Sequence, residues 1–222
     1  MRSYHQYCAI AKTLDVIGDR WNLLIVRELL LQGPSRYTDL HQGLPGIATN
    51  LLADRLRDLE SDGIIAREEA PPPIATTLFR LTPRGLELKA TIYEPARWGA
   101  PLMTEPHEHD VFRDSWLALP VRLFVNDRTP DAPPLTIELR AGSEPITVET
   151  SDGEVHTRPG AAENPDLIIT GTPQLVVGVL TGQLSLTAAR ARGLRTRGNA
   201  KILTRLQPQI AEAHLTADAA IS

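Results

Sequence analysis

From Ser35 to Leu81 the chain spells an order that few folds accommodate: a short helical run, a turn, a second helix ended by glycine, a strand, a hairpin and another strand. The turn is Leu44-Pro45-Gly46, and it separates a helical run opening at Ser35 from a longer one spanning Ala48 to Asp62. Gly63 follows at the position where helices commonly turn left-handed and stop. Ala48, Leu52, Leu56 and Leu59 recur along the longer run at helical spacing, so that stripe is expected to pack inward. Its opposite face carries Asn50, Asp54, Arg57 and Ser61, with Thr49 and Arg55 on the flanks near the entering end. Ile64 to Glu68 and Thr76 to Leu81 have strand composition, with Pro71-Pro72-Pro73 at the tip between them.

This order is the layout of a winged helix-turn-helix, whose second helix is narrow enough to enter the major groove of duplex DNA. Thr49, Asn50 and Arg55 are then expected to face base edges. Ser35, as cap of the preceding helix, and Arg36 and Tyr37 beside it are expected to hold the phosphate backbone. The wing tip has no Lys or Arg, which leaves Arg67 and Arg80 at its base for any backbone contact.

On either side, punctuation marks further helices. Cys8 to Ile17 is expected to be helical and to stop at Gly18, and Asp19 is placed to cap a helix from Arg20 to Leu31 that Gly33-Pro34 closes. Trp21, Leu24, Ile25 and Leu29 form its expected buried face. Pro83 and Gly99 bracket a last helix in which Leu88, Ile92 and Ala96 share a side and Pro95 forces a kink.

The segments Asp15-Val16-Ile17-Gly18-Asp19-Arg20-Trp21, Arg36-Tyr37-Thr38-Asp39-Leu40, Gly46-Ile47, Arg55-Leu56-Arg57-Asp58-Leu59-Glu60, Gly63-Ile64 and Leu81-Thr82-Pro83-Arg84-Gly85 resemble those of HxlR-type transcriptional regulators. The resemblance covers roughly residues 8 to 99. It implies a homodimeric bacterial regulator of a palindromic operator, with the outer helices forming the dimer contact. Cys8 sits where that family often has a cysteine, which allows two readings. It is a redox or electrophile switch, or a small buried residue of the first helix.

Composition bounds the rest. At 222 residues and 42% hydrophobic content the chain can bury more than one core. No apolar run reaches the length of a membrane span and the first residues lack a signal-peptide stretch, so a cytoplasmic location is the expectation. A single cysteine excludes an internal disulfide framework and a cysteine zinc site. Residues 1 to 100 hold 12 Lys and Arg against 12 Asp and Glu, where nucleic-acid domains usually show a basic excess. The remaining residues hold 11 against 15. His107-Glu108-His109-Asp110 reads as a solvated linker and not a metal clamp, because no distant ligand accompanies it. No strained nucleophile turn or Gly-rich phosphate loop is present, so no catalytic residue, cofactor or metal is expected.

Past Ala100 the pattern changes. Residues 100–119 are expected to bridge, with Asp110 to Leu119 helical and Phe112, Trp116 and Leu119 on one stripe; residues 120–222 are expected to form a second domain. There Leu135, Ile137 and Leu139 alternate with polar residues, as do Ile146 and Val148, and Gly153 suits a hairpin turn before Glu154 to Thr157. Asp166 to Thr170 reads as a strand buried on both faces, and Thr172-Pro173 opens a helix that ends at Gly182. Leu184 to Arg192 reads as a short helix and Gly193 to Gly198 as a strand with Leu194 and Thr196 on one face and Arg195 and Arg197 on the other. Asn199 is expected to cap a last helix with Ile202, Leu203, Leu206 and Ile210 inward. The whole chain is thus expected to be α+β.

The strings Leu135-Thr136-Ile137-Glu138-Leu139, Pro165 to Pro173, Leu180-Thr181-Gly182 and Gly193 to Ala200 resemble the sterol-carrier-protein family of small lipid-binding domains. The likeness spans about residues 120 to 210. It implies a five-stranded sheet covered by helices, and a cavity for a hydrophobic small molecule. Candidate lining residues are Leu139, Val148, Ile168, Val176, Val179, Leu180 and Leu184, each equally at home in an ordinary core. Arg190, Arg192, Arg195, Arg197, Arg205 and Lys201 read as solvated faces or as a patch for an anionic partner. The leading expectation is a dimeric DNA-binding regulator that senses a hydrophobic molecule. The competing one is a lipid-like carrier in which the first domain serves for dimerisation.

Overall fold

A computed structural model describes residues 3–70, 76–103 and 108–208, so the wing tip at Pro71-Pro72-Pro73, His107 and Ile210 lie outside the described residues. The chain divides into two compact units, residues 1–111 and 112–222.

In the first unit helix α1 (Ala9–Ile17) is followed by α2 (Asn22–Gln32). The second starts later than the cap expected at Asp19. Asn22 donates its backbone N–H to the Asp19 carbonyl at 3.1 Å and its side-chain amide to the Val16 carbonyl at 3.1 Å, so Asp19 belongs to the turn before the helix. Trp21 at φ 86 ends that turn. The inward face of α2 is Ile25, Val26, Leu29 and Leu31, whereas Leu24 is exposed and Trp21 half-buried.

Ser35–Arg36 is not the opening of a helix but a short strand, β1, paired antiparallel with β3 (Thr77–Leu81), Ser35 opposite Phe79. Helix α3 (Tyr37–Gly43) follows, and α4 (Thr49–Ser61) is the second of the pair. Leu52, Leu56 and Leu59 of α4 are at most 1% exposed, while Ala48, its N-cap, is exposed because the helix begins after it. The C-terminus closes as a Schellman motif: Gly63 at φ 70 donates to the Glu60 carbonyl and Ile64 to the Leu59 carbonyl. Strand β2 (Ile65–Glu69) pairs with β3 and completes a sheet of order β1-β3-β2.

The expected last helix is two. Thr82 accepts from the Gly85 N–H and caps α5 (Pro83–Leu86); buried Gly85 packs on the Ile64 carbonyl, and helix resumes only in α6 (Lys89–Gly99), with Pro95 inside it. A side chain at Gly85 would collide with that carbonyl, so α5 is held to the strand end while α6 leaves in its own direction.

The second unit begins with a 3₁₀ turn, Asp114–Leu117, and α7 (Ala118–Phe124), in place of a helix over Asp110 to Leu119. Pro120 lies in the first turn of α7, where its missing N–H has no partner to lose, so it starts the helix instead of ending one. Strand β4 (Val125–Asp127) leads to β5 (Thr136–Arg140), β6 (Ile146–Ser151), β7 (Glu154–Pro159) and β8 (Leu167–Thr170). Asp152 and Gly153, both at positive φ, make the turn between β6 and β7. Helices α8 (Pro173–Leu180) and α9 (Leu186–Ala191) precede β9 (Arg195–Gly198), and the sheet order is β7-β6-β5-β8-β9 with only β5 and β8 parallel. Ile137, Leu139, Val148, Leu167 and Ile169 point from it into one core with Val176, Leu180 and Leu194.

No last α-helix forms up to Pro208. Asn199 accepts from the Lys201 N–H and caps only a 3₁₀ turn, Ala200–Thr204, after which β10 (Leu206–Pro208) pairs antiparallel with β4. The junction is fixed by Arg205, whose Nε and Nη2 reach the two carboxylate oxygens of Asp127 at 3.1 and 2.7 Å. Asp127 also accepts from the backbone and hydroxyl of Thr129. The Arg205 guanidinium is the main reason the Asp127 carboxyl is held at about 2 instead of the ordinary 3.8. Because the folded value is depressed, the stabilisation is complete above the unfolded pKa near 4 and disappears as pH falls through 2, a contribution on the order of 1–2 kcal/mol. Asp127→Asn is expected to cost about 2–3 kcal/mol at pH 7, since Arg205 is left without its counter-charge. The full chain's urea midpoint, measured at pH 7 and pH 3, checks both; equal midpoints for parent and variant at pH 7 would refute the role.

Candidate nucleic-acid interface

The surface expected to meet DNA is assembled by α3, α4 and the β2–β3 hairpin. Helix α4 is seated by its leucine stripe, and at its entering end Tyr37 of α3 donates its hydroxyl to the Thr49 carbonyl at 2.6 Å. Tyr37 stacks on His41 with ring centroids 6.3 Å apart, which holds its ring across the gap between the helices. With α4 seated in this way, Thr49 and Asn50 are exposed on the outward edge.

The nominated residues do not share one environment. Ser35 is only 4% exposed and donates its hydroxyl to the Gly33 carbonyl at 2.9 Å, so it is neither the helix cap nor available to a phosphate. Arg36 takes the N-cap position; its backbone N–H meets Asp39 Oδ2 at 3.1 Å while its side chain is exposed and makes no ion pair among the described residues. Arg55 is 17% exposed, its guanidinium paired with the Asp19 carboxylate and, at 3.0 Å, with Asp58. Its Nε is buried without an acceptor. Arg67 pairs with Glu60 at 3.0 Å and lies over the Phe79 ring, and Arg80 pairs with Glu68 at 2.8 Å. Arg57, too, is paired, with Asp54.

Between the start of α3 and the hairpin lies a shallow concavity of about 490 Å³ lined by Arg36, Tyr37, Thr38, Arg67, Thr76, Thr77 and Phe79. Sequence reasoning found its arginines and tyrosine but missed Thr38, Thr76, Thr77 and Phe79. It also missed that Asp19 serves Arg55. The alternation in Thr76 to Leu81 placed Phe79 on a strand, yet not beside Arg67, because pairing register is not written in either strand alone.

Cys8 is exposed, not buried, and stands at the N-cap of α1. Backbone N–H groups of Ala11 and Ile10 lower its thiol pKa.

In the second unit, six of the seven nominated lining residues come together. Leu139, Val148, Val176 and Leu180 are at most 3% exposed in the sheet-helix core, with Val179 and Leu184 packed against it. Ile168 is the exception: it stands opposite Glu138 and Arg197 on the other face of the sheet, since neighbours in a strand point to opposite sides. Strand β8 is thus not uniformly apolar on both faces. Among the described residues no helix is long and apolar enough to cross a membrane, and no group of three His, Cys, Asp or Glu side chains is placed to hold a metal ion.

Residues 16–107 match the family described as HxlR-like helix-turn-helix. The HTH-type transcriptional regulator YodB of Bacillus subtilis is 34% identical over 84 residues, 38% of this chain and 74% of that protein. The chain belongs to the HxlR-like helix-turn-helix family. A second relative, the uncharacterized HTH-type transcriptional regulator sll1512 of Synechocystis sp., is 34% identical over 93 residues, 42% of this chain and 68% of that protein. The redox regulator HypR in its reduced form is a solved structure 28% identical, covering 44% of this chain and 95% of that one at a TM-score of 0.40. Beyond the HxlR-like part, residues 132–210 match the SCP-2 sterol transfer family.

The Arg55–Asp19 pair ties α4 to the turn before α2. A double-mutant cycle with Arg55→Ala and Asp19→Ala is expected to return a coupling of about 0.5–1 kcal/mol that shrinks with added salt, the range for a partly exposed ion pair. Additive losses in thermal unfolding would mean the pair contributes nothing.

Proposed function

We propose that this chain is a homodimeric transcriptional regulator that reads a palindromic operator through α4 and takes a hydrophobic small molecule in its second unit. The observation that carries the reading is α4 itself: Leu52, Leu56 and Leu59 are buried while Thr49 and Asn50 stand free on the edge that would enter a groove. Thr49 and Asn50 make the base contacts and Arg36 and Tyr37 hold the backbone. Arg67 and Arg80 can add to them only by leaving Glu60 and Glu68. Arg55 acts as a positioning residue, because a base contact would require breaking its bonds to both aspartates.

Dimerisation has its own support. Ile10, Leu14 and Leu24 are exposed beside a concavity of about 520 Å³ that α1, the following turn and α2 line, and Trp98 of α6 is 78% exposed. A second copy is the partner that would cover this apolar surface. Ile10→Glu with Leu14→Glu is expected to give a monomer by sedimentation and to abolish operator retardation. Asn50→Ala should cost about 1–3 kcal/mol on the operator and little on random duplex, whereas Arg36→Ala should weaken both alike and flatten the salt slope by about one unit. Unchanged footprints in both α3 and α4 variants would end the DNA-binding reading.

For the effector, the core beneath α8 and α9 supports an apolar guest of the kind the SCP-2 match suggests. Leu184 folds back on α8, its N–H on the Gly178 carbonyl at 2.9 Å, and is only half-buried. We expect saturable fluorescence enhancement of cis-parinaric acid by the full chain, weakened at least fivefold by Leu184→Gln. Enhancement that never saturates would remove the effector from the proposal.

A further inference from the structure

We propose that the end of α9 together with β9 forms a binding surface for the DNA phosphate backbone, so that the second unit contributes directly to operator affinity. The inference rests on the reading of this chain as a DNA-binding regulator. It starts from an asymmetry of charge. Between Leu167 and Pro208 there are six Arg and Lys residues and no Asp or Glu, in a chain whose net charge is −4. Five of the six, Arg190, Arg192, Arg195, Arg197 and Lys201, are exposed; only Arg205 is drawn inward, to Asp127.

The fold brings four of these to the border that carries β9, Arg190 on the side of Thr196 and Arg195 and Arg197 on the opposite side. Arg190 and Arg192 close α9, Gly193 at φ 101 turns the chain, and Arg195 and Arg197 follow on β9, which has β8 on one side and stands at the sheet edge. Arg195 and Arg197 lie opposite Thr170 and Ile168, neither of which can offer a carboxylate. Arg190 donates to the Thr196 hydroxyl at 2.5 Å, a neutral acceptor that leaves its charge intact. The carboxylates that come nearest in the sheet are engaged elsewhere: Asp166 accepts from the Thr136 N–H at 2.8 Å, and Glu138 from Arg140 and from the Ala162 N–H.

The first unit shows the opposite arrangement. Arg55, Arg57, Arg67 and Arg80 each sit against an aspartate or glutamate, whereas Arg36 at the start of α3 and Arg84 on the Asp62 carbonyl make no ion pair among the described residues. Affinity for duplex DNA comes largely from cations that replace condensed counterions. A chain that pairs four arginines of its reading unit with carboxylates carries a cluster of unpaired cations on α9 and β9, and being on the same chain raises their effective concentration at DNA already bound. Alternating arginines on an extended edge present charges about 7 Å apart, close to the spacing of successive phosphates along one strand.

The test is operator retardation by the full chain over a salt series, comparing the parent with Arg192→Gln/Arg195→Gln/Arg197→Gln/Lys201→Gln and with Arg192→Lys/Arg195→Lys/Arg197→Lys. We expect the glutamine variant to bind about tenfold more weakly at moderate salt with a slope reduced by two to four units, the same footprint centre, and recovery in the lysine variant. Single Arg195→Gln and Arg197→Gln chains, each losing about one unit of slope, serve if the quadruple variant unfolds. Identical slopes in parent and variants overturn the inference while leaving the regulator reading intact. Failure of the parent to retard any duplex removes both. Loss of binding to phosphatidylserine vesicles with an unchanged DNA slope overturns it in favour of a lipid surface.

Discussion

The first unit depends on the roll of α4 about its own axis. Leu52, Leu56 and Leu59 bury one side, at roughly 2 kcal/mol each for a leucine removed from water. Clamps at both ends keep that roll from drifting. At the start, the Tyr37 hydroxyl holds the Thr49 carbonyl; at the end, Thr82 donates its hydroxyl to the Gly63 carbonyl at 2.6 Å and Arg84 reaches the Asp62 carbonyl at 3.0 Å. A rotation by one residue would move the leucines out and bring Arg57 and Glu60, or Arg55 and Asp58, in, at several kcal/mol for an unpaired charge. Thr49 and Asn50 inherit their outward position from that arrangement.

Charge is organised around the same helix with a different consequence. Each arginine of α4 and the wing base has an acidic neighbour, which explains how a unit with balanced charge can carry so many arginines on one side. Held pairs of this kind fix side-chain direction but surrender electrostatic reach, because the field of a paired cation falls off as a dipole. Recognition by such a unit would lean on short-range hydrogen bonding at the groove edge more than on attraction from a distance.

Much of this was legible in the sequence wherever the signal was local. The Leu52, Leu56 and Leu59 part of the α4 stripe, the Gly63 stop, the Thr172-Pro173 helix start and the hairpin turn at Gly153 need only neighbours a few residues apart, and each stands where the residues put it. What escaped depended on partners far along the chain. Ser35 reads as a cap until Phe79 pairs with it, and Asp19 reads as a cap until Arg55 claims its carboxylate. The Leu206–Pro208 strand exists because Val125–Asp127 lies ready to pair and Asp127 holds Arg205; nothing between Asn199 and Pro208 announces this. Ile168 shows the same limit on the candidate site, its apolar character real but its face decided by the register with β5 and β9.

The packing of the second unit also constrains how a guest could be felt elsewhere. Leu139, Val148, Val176 and Leu180 are filled core, so an entering apolar molecule must displace the less buried layer of Val179, Leu184 and Leu186. Leu184 and Leu186 flank the start of α9, where Ser185 caps the helix through the Ala188 N–H. The far end of that short helix is tied to the next strand, Leu194 donating to the Ala189 carbonyl at 3.0 Å and Arg190 to Thr196. Strand β9 is itself paired with β8 along its whole length, so a displacement at Leu184 would reach Arg190 through α9 before it could reach Arg195 or Arg197. If the second unit takes a ligand as proposed, one that prefers a position of α9 would bias that of Arg190, and the reverse would hold equally.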